Sequence, residues 1–195
     1  MRESSISLTF DKDLPRTEER QIIQTARHDP QAFGELYQLY ADQVFRYLYS
    51  RLGNVHEAED VTAQTFLAAF EAFDRFRQDD NFAPWLFTIA RNKAMDHFRR
   101  NNKKQESDIS EEASSTEDEP LSSVIQSEQA LALSRLIQGL PEDERELLRL
   151  RFLAEMTYGE MAHFLHRTEQ AVKKSIYRLL ARLQSQLEIS NGKVK

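Results

Sequence analysis

Residues 157–183 read TYGEMAHFLHRTEQAVKKSIYRLLARL, and the punctuation of this stretch decides the fold of the C-terminal half. Thr157 and Glu160 stand at capping-box spacing, in which the threonine hydroxyl accepts from the N3 amide and the glutamate carboxylate reaches back to the cap amide. They predict a helix of about two turns that carries Met161, Ala162 and Leu165. A short turn follows. Thr168 then caps a longer helix in which Val172, Ile176, Leu179, Leu180 and Leu183 recur as one buried stripe, leaving Gln170, Lys173, Lys174 and Tyr177 on the opposite side. A short helix, a tight turn and a longer helix with a polar outer face make a helix-turn-helix, whose second helix presents its N-terminal residues to base edges in the major groove. Those residues are Thr168, Glu169, Gln170, Lys173 and Lys174. Gln can bond adenine through two hydrogen bonds, Glu can accept from the cytosine amino group, and Lys reaches guanine or phosphate. Ala162 is small enough to let the two helices cross closely.

Upstream of this motif, Pro141 with Glu142, Asp143 and Glu144 opens a helix, because carboxylates in a first turn suit the helix dipole, and Leu147, Leu148 and Phe152 supply its buried side. Residues 121–138 read as a helix that Gly139 stops. In the N-terminal half, Asp29 and Pro30 form a cap and first-turn pair. A stripe of Phe33, Leu36, Tyr37, Tyr40, Val44, Tyr47, Leu48 and Leu52 then runs to Gly53. Asn54 and Glu57 have capping-box spacing and begin a helix whose Ala58, Val61, Phe66, Ala69, Phe70 and Phe73 face the first. After a polar loop at 77–81, Pro84 sits at the start of a third helix with Leu86, Ile89, Ala90 and Ala94 inward. A shorter helix near 18–28 completes an all-α reading, since no stretch alternates apolar and polar residues.

The chain has 195 residues, 40% of them hydrophobic, and a formal net charge of -6. An acidic total argues against indiscriminate coating of nucleic acid, so local basic faces must do any binding. Two exist: Arg91, Lys93, Arg99, Arg100, Lys103 and Lys104 form one, and Arg167, Lys173, Lys174, Arg178 and Arg182 the other. Between them, residues 105–120 hold seven acids and no base. This spacer is also rich in serine and has too little apolar surface to offset the entropy of ordering. The expectation is therefore two small helical domains joined by a flexible acidic linker: an extension at 1–16, a first domain at 17–104, the linker at 105–123 and a second domain at 124–190. The absence of cysteine excludes disulfides, thiolate metal sites and a cysteine nucleophile, and is consistent with a reducing cytoplasm. No apolar run approaches the ~20 residues of a membrane span, and residues 1–16 lack the apolar core of a secretion signal.

Trp85, Asn92, Asp96 and Arg99 repeat at helical intervals and so share one stripe away from the apolar one. An aromatic ring, an amide and cations on one surface suit single-stranded DNA, where base–aromatic stacking contributes ~1–3 kcal/mol per base. The same tryptophan also reads as a core residue at a helix start.

Together these residues resemble a sigma factor of bacterial RNA polymerase, of the small extracytoplasmic-function type within the sigma-70 family. AFGELYQLYADQVFRYLYSRLG, AEDVTAQTFLAAF and FDRFRQDDNFAPWLFTIARNKAMDHFRR resemble the family's region 2; LPEDERELLRLRFLAEMTYGEMAHFLHRTEQAVKKSIYRLLARL resembles region 4. The resemblance implies that region 2 clamps the polymerase core and melts the minus-ten element, while region 4 reads the minus-thirty-five element as duplex. It implies core contacts at Asp60, Val61, Gln64, Thr65 and Phe66, with Ala63 and Gln64 departing from the usual Gln and Glu. It places a pocket for an extruded base at Arg77, Gln78, Asp79, Asp80, Asn81 and Phe82, and the strand-opening surface at Trp85, Arg91, Asn92, Lys93, Asp96, Arg99 and Arg100. Contacts from the recognition helix fall on Thr168, Glu169, Gln170, Ala171, Lys173, Lys174, Tyr177 and Arg178. The implied partners are core polymerase, through its clamp and flap, and promoter DNA in duplex and single-stranded form. Such proteins are also commonly sequestered by an anti-sigma factor. Two departures bear on stability: His166 replaces the usual turn glycine, and Gly159 replaces an acid early in its helix.

The competing reading is a helix-turn-helix regulator that acts without polymerase. An enzyme is disfavoured, because no Gly-rich phosphate loop and no recognised nucleophile constellation is present. His163 and His166 lack a third ligand, so neither a metal nor another cofactor is expected.

Overall fold

The computed structural model describes residues 16–77, 81–107 and 128–192. Among these, every regular element is helical. Packing divides the chain into two units, Met1–Tyr40 and Ala41–Lys195, with the division inside one long helix.

In the first unit, α1 (Arg16–Ala26) leads through a 3-10 turn at Pro30–Ala32 into the start of α2 (Phe33–Leu52). The Asp29 carboxylate accepts from the Gln31 amide at 2.9 Å, and Pro30, which has no N–H to satisfy, occupies the first position. Ile23, Ala26, Ala32, Phe33, Leu36 and Tyr40 are buried, and the Tyr40 hydroxyl donates to Glu19. Tyr37 was expected in this stripe but is 48% exposed. It follows Leu36 by one position, which rotates it about 100° around the helix, and the buried arc is narrower than the aromatic pattern suggested.

In the second unit, α2 continues through buried Val44, Tyr47 and Leu48 and stops at Gly53, whose φ of 74 favours a residue without a Cβ. Asn54 caps α3 (Val55–Ala72) by accepting from the Glu57 amide at 3.1 Å. That is one half of the expected box. The Glu57 carboxylate instead lies 3.2 Å from His97. Ala58, Val61, Phe66 and Ala69 are buried, as is Phe73 in the 3-10 turn that follows, whereas Phe70 is 47% exposed and does not face inward as expected. The inward positions next to it are filled by Ala69 and Phe73, which leaves Phe70 on the outer side of the last turn.

α4 (Phe82–Ser107) begins at Phe82 rather than at Pro84, which the first turn accommodates because amides there have no intrahelical partner. Leu86, Phe87, Ala90 and Ala94 are buried along it, and it packs against α3. The first residues of the expected linker, 105–107, continue α4; the rest of it, and residues 124–127 of the helix expected at 121–138, lie outside the described residues.

α5 (Glu128–Gln138) ends at Gly139, and α6 (Glu142–Leu148) opens after Pro141 with three acids in its first turn. A π turn at Arg149–Leu153, which the periodicity did not reveal, then widens the helix. It leads to Glu155, which has φ 53, and to α7 (Tyr158–Leu165) and α8 (Glu169–Gly192). α7 crosses α8, and α5 and α6 pack on the same long helix.

Candidate nucleic-acid interface

The motif at 157–183 folds as its punctuation predicted. The Thr157 hydroxyl accepts from the Glu160 amide at 3.2 Å while the Glu160 carboxylate accepts from the Thr157 amide at 2.7 Å, so both halves of the capping box are made. His166 adopts φ 52 and ψ 45, and the Arg167 amide donates to the Ala162 carbonyl at 3.0 Å, which closes the turn. The Thr168 hydroxyl accepts from the Ala171 amide at 3.3 Å and sets the entry of α8. Val172, Ile176, Leu179 and Leu183 are buried with Met161, Ala162 and Phe164. That burial fixes the rotation of α8 and turns Thr168, Glu169, Gln170, Lys173, Lys174, Tyr177 and Arg178 outward as exposed residues, with Ala171 half-buried between them.

The exposed face has an aromatic and cationic texture. Tyr158 and Tyr177 approach with ring centroids 6.4 Å apart, Arg151 lies over the Tyr158 ring at 4.9 Å, and Lys173 approaches the same ring at 6.0 Å. Desolvation raises the pKa of the Tyr158 hydroxyl above its ordinary value, with Tyr177 adding to it, so the phenol stays neutral as a hydrogen-bonding group. Arg167 donates to Ser175 at 2.9 Å, and Arg182 pairs with Glu144. These pairs set the basic face apart from its rim: Lys173, Lys174 and Arg178 lie along the centre of α8, while Arg182 is drawn toward α6.

The second surface lies on α4. Trp85 is half-buried, its ring 4.9 Å from Phe76 and 5.6 Å from Phe82, so its body belongs to an aromatic cluster that Phe73 completes. Phe82 is 2% exposed in that cluster. Its ring packs edge-on against Phe76 at 5.7 Å, so its side chain is held within the cluster. Arg77 and Asn81 flank the loop and are exposed; Gln78, Asp79 and Asp80 lie outside the described residues. Asn92, Arg99 and Arg100 are exposed along one side of α4, and Lys93 is half-buried. Asp96 pairs with Arg99 at 3.2 Å. Arg91 lies over the Phe164 ring of α7 at 4.6 Å.

Both blocks match family models in the same order. Sigma-70 region 2 matches residues 36–104, and Sigma-70 region 4 matches residues 130–183. The ECF RNA polymerase sigma factor SigM of Bacillus subtilis is 32% identical over 153 residues, which cover 77% of this chain and 92% of that one. The chain belongs to the ECF sigma factors. A further member, BldN of Streptomyces coelicolor, is 37% identical over 155 residues; the match spans 78% of this chain and 59% of BldN. Among solved structures, CnrH in complex with the cytosolic domain of CnrY superposes with a TM-score of 0.61 at 25% identity, covering 92% of this chain and 99% of CnrH. The sigma factor RpoE of Bartonella quintana, solved with the anti-sigma factor NepR, shares the fold with a TM-score of 0.57 at 24% identity, over 80% of this chain and 97% of that one.

Within this sigma factor, the α3 residues that resemblance assigned to core polymerase divide by burial. Val61 and Thr65 are fully buried, Phe66 is 5% exposed, and the Thr65 hydroxyl donates to the Val61 carbonyl at 2.7 Å. Asp60 and Gln64 are exposed on the other side. Leu67 and Phe70, which the sequence reading did not assign to any partner, continue that outer side at 59% and 47% exposure. The signal was present in the spacing: 60, 64 and 67 follow one another at helical intervals, and two large apolar residues near that line have no place in the core. Among the described residues, no group of three or more His, Cys, Asp or Glu side chains could hold a metal ion.

Proposed function

We propose that this chain is the promoter-specificity subunit of a cytoplasmic RNA polymerase, and that it initiates transcription by reading two promoter elements and opening the one nearer the start site. The observation that carries this reading is the exposed face of α8. A tight capped turn and a buried apolar stripe leave Gln170, Lys173, Lys174, Tyr177 and Arg178 as the outward side of a recognition helix. That helix reads the minus-thirty-five element as duplex, with Gln170 and Glu169 at base edges and the lysines at guanine or phosphate. Thr168 and Ala171 set how closely its first turn approaches the groove.

The α4 surface holds the opened minus-ten strand. Unstacking a base costs a few kcal/mol, which the protein must recover by binding the single strand better than the duplex. Trp85 at the edge of its aromatic cluster offers a stacking face, Asn92 an amide, and Arg91, Lys93, Arg99 and Arg100 the countercharge. Asp96 orients Arg99. The segment of Arg77, Gln78, Asp79, Asp80, Asn81 and Phe82 receives an extruded base.

Core polymerase docks on the outer side of α3, where Asp60 and Gln64 make the polar contacts. Leu67 and Phe70 supply the apolar seat, and buried Val61, Thr65 and Phe66 hold the helix in place. The domain division at 17–104 and 124–190 gives core docking and strand opening to the first block and duplex reading to the second, and an anti-sigma factor is a third partner. Each reader alone discriminates weakly, since one bidentate base contact is worth ~1–3 kcal/mol. Holding both on one enzyme multiplies their selectivity through effective concentration.

Run-off transcription with purified core polymerase on a promoter library is the direct test. Initiation that depends on this chain supports the reading and yields both elements at once. A chain that binds duplex DNA but never enters a complex with core polymerase would instead be a self-standing regulator.

A further inference from the structure

Tyr158 opens α7 and is half-buried against the side of α8 that carries Lys173 and Tyr177, one turn apart. Arg151, whose guanidinium lies 4.9 Å from the centre of the Tyr158 ring, is itself fixed by donating to the Met156 carbonyl at 2.7 Å. The ring therefore rests on a buried cation and in turn keeps the Lys173 ammonium 6.0 Å from its centre, within reach of a cation–π contact. Lys173 is an exposed cation with a fixed seat.

The other flank of α8 is built on the same plan. Ser175 follows Lys173 by two positions, about 200° around the helix, and its hydroxyl accepts from the Arg167 guanidinium at 2.9 Å. Arg167 is fixed at its other end too, because its amide closes the turn on the Ala162 carbonyl at 3.0 Å. Between the two flanks, and opposite the buried stripe, Gln170, Lys174 and Arg178 recur at one-turn intervals and are all exposed. An α-helix with its side chains is about 10–12 Å across, and the major groove is about 12 Å wide. A helix seated there meets base edges along its outward ridge and a phosphate strand on each flank. Phosphate contacts fix position and register without carrying sequence information, whereas base contacts specify.

We propose that Lys173 and Arg167 are the two phosphate anchors of the recognition helix, one for each strand that walls the groove, and that Tyr158 and Ser175 are the positioning residues that hold them there. The inference rests on the reading of α8 as a duplex reader and deepens it: sequence is read along Gln170, Lys174 and Arg178, while the flanks set depth and register. Holding the anchors in advance matters because long cationic side chains lose rotamer freedom when they bind. A ring and a hydroxyl that confine them in the free chain leave less to lose. Burial, with Tyr177 adding to it, raises the Tyr158 pKa, so the phenol holds Lys173 without placing a negative charge beside phosphate.

The test measures duplex binding by the full chain assembled with core polymerase, on a randomised pool and on the best site selected from it. Lys173→Ala and Arg167→Ala should each weaken binding to both duplexes alike, by about three- to tenfold, and flatten the slope of log affinity against log salt by about 1. The selected sequence should not change. Tyr158→Leu should weaken binding in the same uniform way, Tyr158→Phe should restore it, and Tyr158→Leu should add nothing in a Lys173→Ala background. Ser175→Ala and Arg167→Ala form the matching pair on the other flank, which keeps the test intact if Tyr158→Leu disturbs folding. Additivity in either pair would overturn that flank, and a changed base preference in Lys173→Ala or Arg167→Ala would overturn the assignment of that residue to phosphate. If the wild-type assembly selects no duplex at all, the reading of α8 falls and the anchors with it; if it selects one and the flank variants alter which, only the anchors fall.

Discussion

His166 holds φ 52 where glycine would adopt the same backbone without a Cβ in the way, and Gly159 sits in the first turn of α7, where a side chain would help the helix. The two residues are misplaced in opposite senses. A Cβ built on Gly159 comes no nearer than 3.6 Å to the Glu169 carboxylate, so Gly159→Ala has room. It should stabilise by about 0.4–1 kcal/mol, chiefly by narrowing the unfolded ensemble. His166→Gly should stabilise by up to about 1 kcal/mol, because relief of left-handed strain exceeds the entropy that glycine adds to the unfolded chain. Thermal unfolding followed by circular dichroism checks both, with shifts of about 2–4 °C per kcal/mol for a chain of this size. Thr157→Ala is the opposing control. It removes the hydroxyl that accepts from the Glu160 amide and donates to the buried Glu160 carboxylate, and should cost about 1–2 kcal/mol. A midpoint unchanged in Thr157→Ala would mean that α7 is held by its packing on α8 and not by its cap.

At the level of helices, the capped turn between α7 and α8 makes a prediction about DNA, because it fixes which residues face outward. Replacing Lys173 and Lys174 together with Ala removes two cations from the centre of the exposed face without touching the buried stripe. Duplex promoter binding by the polymerase complex should weaken about ten- to a hundredfold at physiological salt, and the slope of log affinity against log salt should flatten by about 1 for each lysine. Association with core polymerase should be unaffected, since Asp60, Gln64, Leu67 and Phe70 lie on α3; loss of that association in the double variant would contradict the division of labour. These two elements were legible in the sequence for the same reason that they are testable: caps, turn and stripe are local signals. Other features were not local. The π turn at Arg149–Leu153 inserts an extra residue per turn that no residue type announces, and Arg151 within it is buried by donating to the Met156 carbonyl at 2.7 Å. Tyr37 and Phe70 read as core because aromatic residues at helical spacing usually are, and only the placement of neighbouring helices decides which edge of a stripe stays wet. Tyr47 was read correctly as buried, but its hydroxyl partner lay 99 residues away and no spacing rule could supply it.

On the scale of the whole molecule, acidity should loosen the network that surrounds Glu142. This carboxylate is 2.6 Å from Arg149, 3.1 Å from Arg145 and 3.8 Å from Arg51 on α2, with Glu146 sharing the same cations. Desolvation is the largest single influence and acts to raise its pKa, but the hydrogen bond from Arg149 and the charges of Arg149, Arg51 and Arg145 together prevail, and the value lies below its ordinary 4.5. A carboxyl group with a depressed folded-state pKa binds its proton more readily when unfolded. The stability it contributes is therefore present in full above about pH 4.5 and is lost as the pH falls through the depressed folded value. Because Glu142 is 52% exposed, solvent and salt screen most of each pairing, and the contribution should stay within the ~1 kcal/mol typical of exposed ion pairs. The measurement is a pair of urea titrations on the wild-type chain and on Glu142→Gln. Near neutral pH the variant should be the less stable by that amount; well below pH 4.5 the two should converge. A difference that persists or grows on acidification would show that Glu142 acts through its first-turn position on α6 and not through the arginines, and would remove this residue from the contacts that tie α2 to α6.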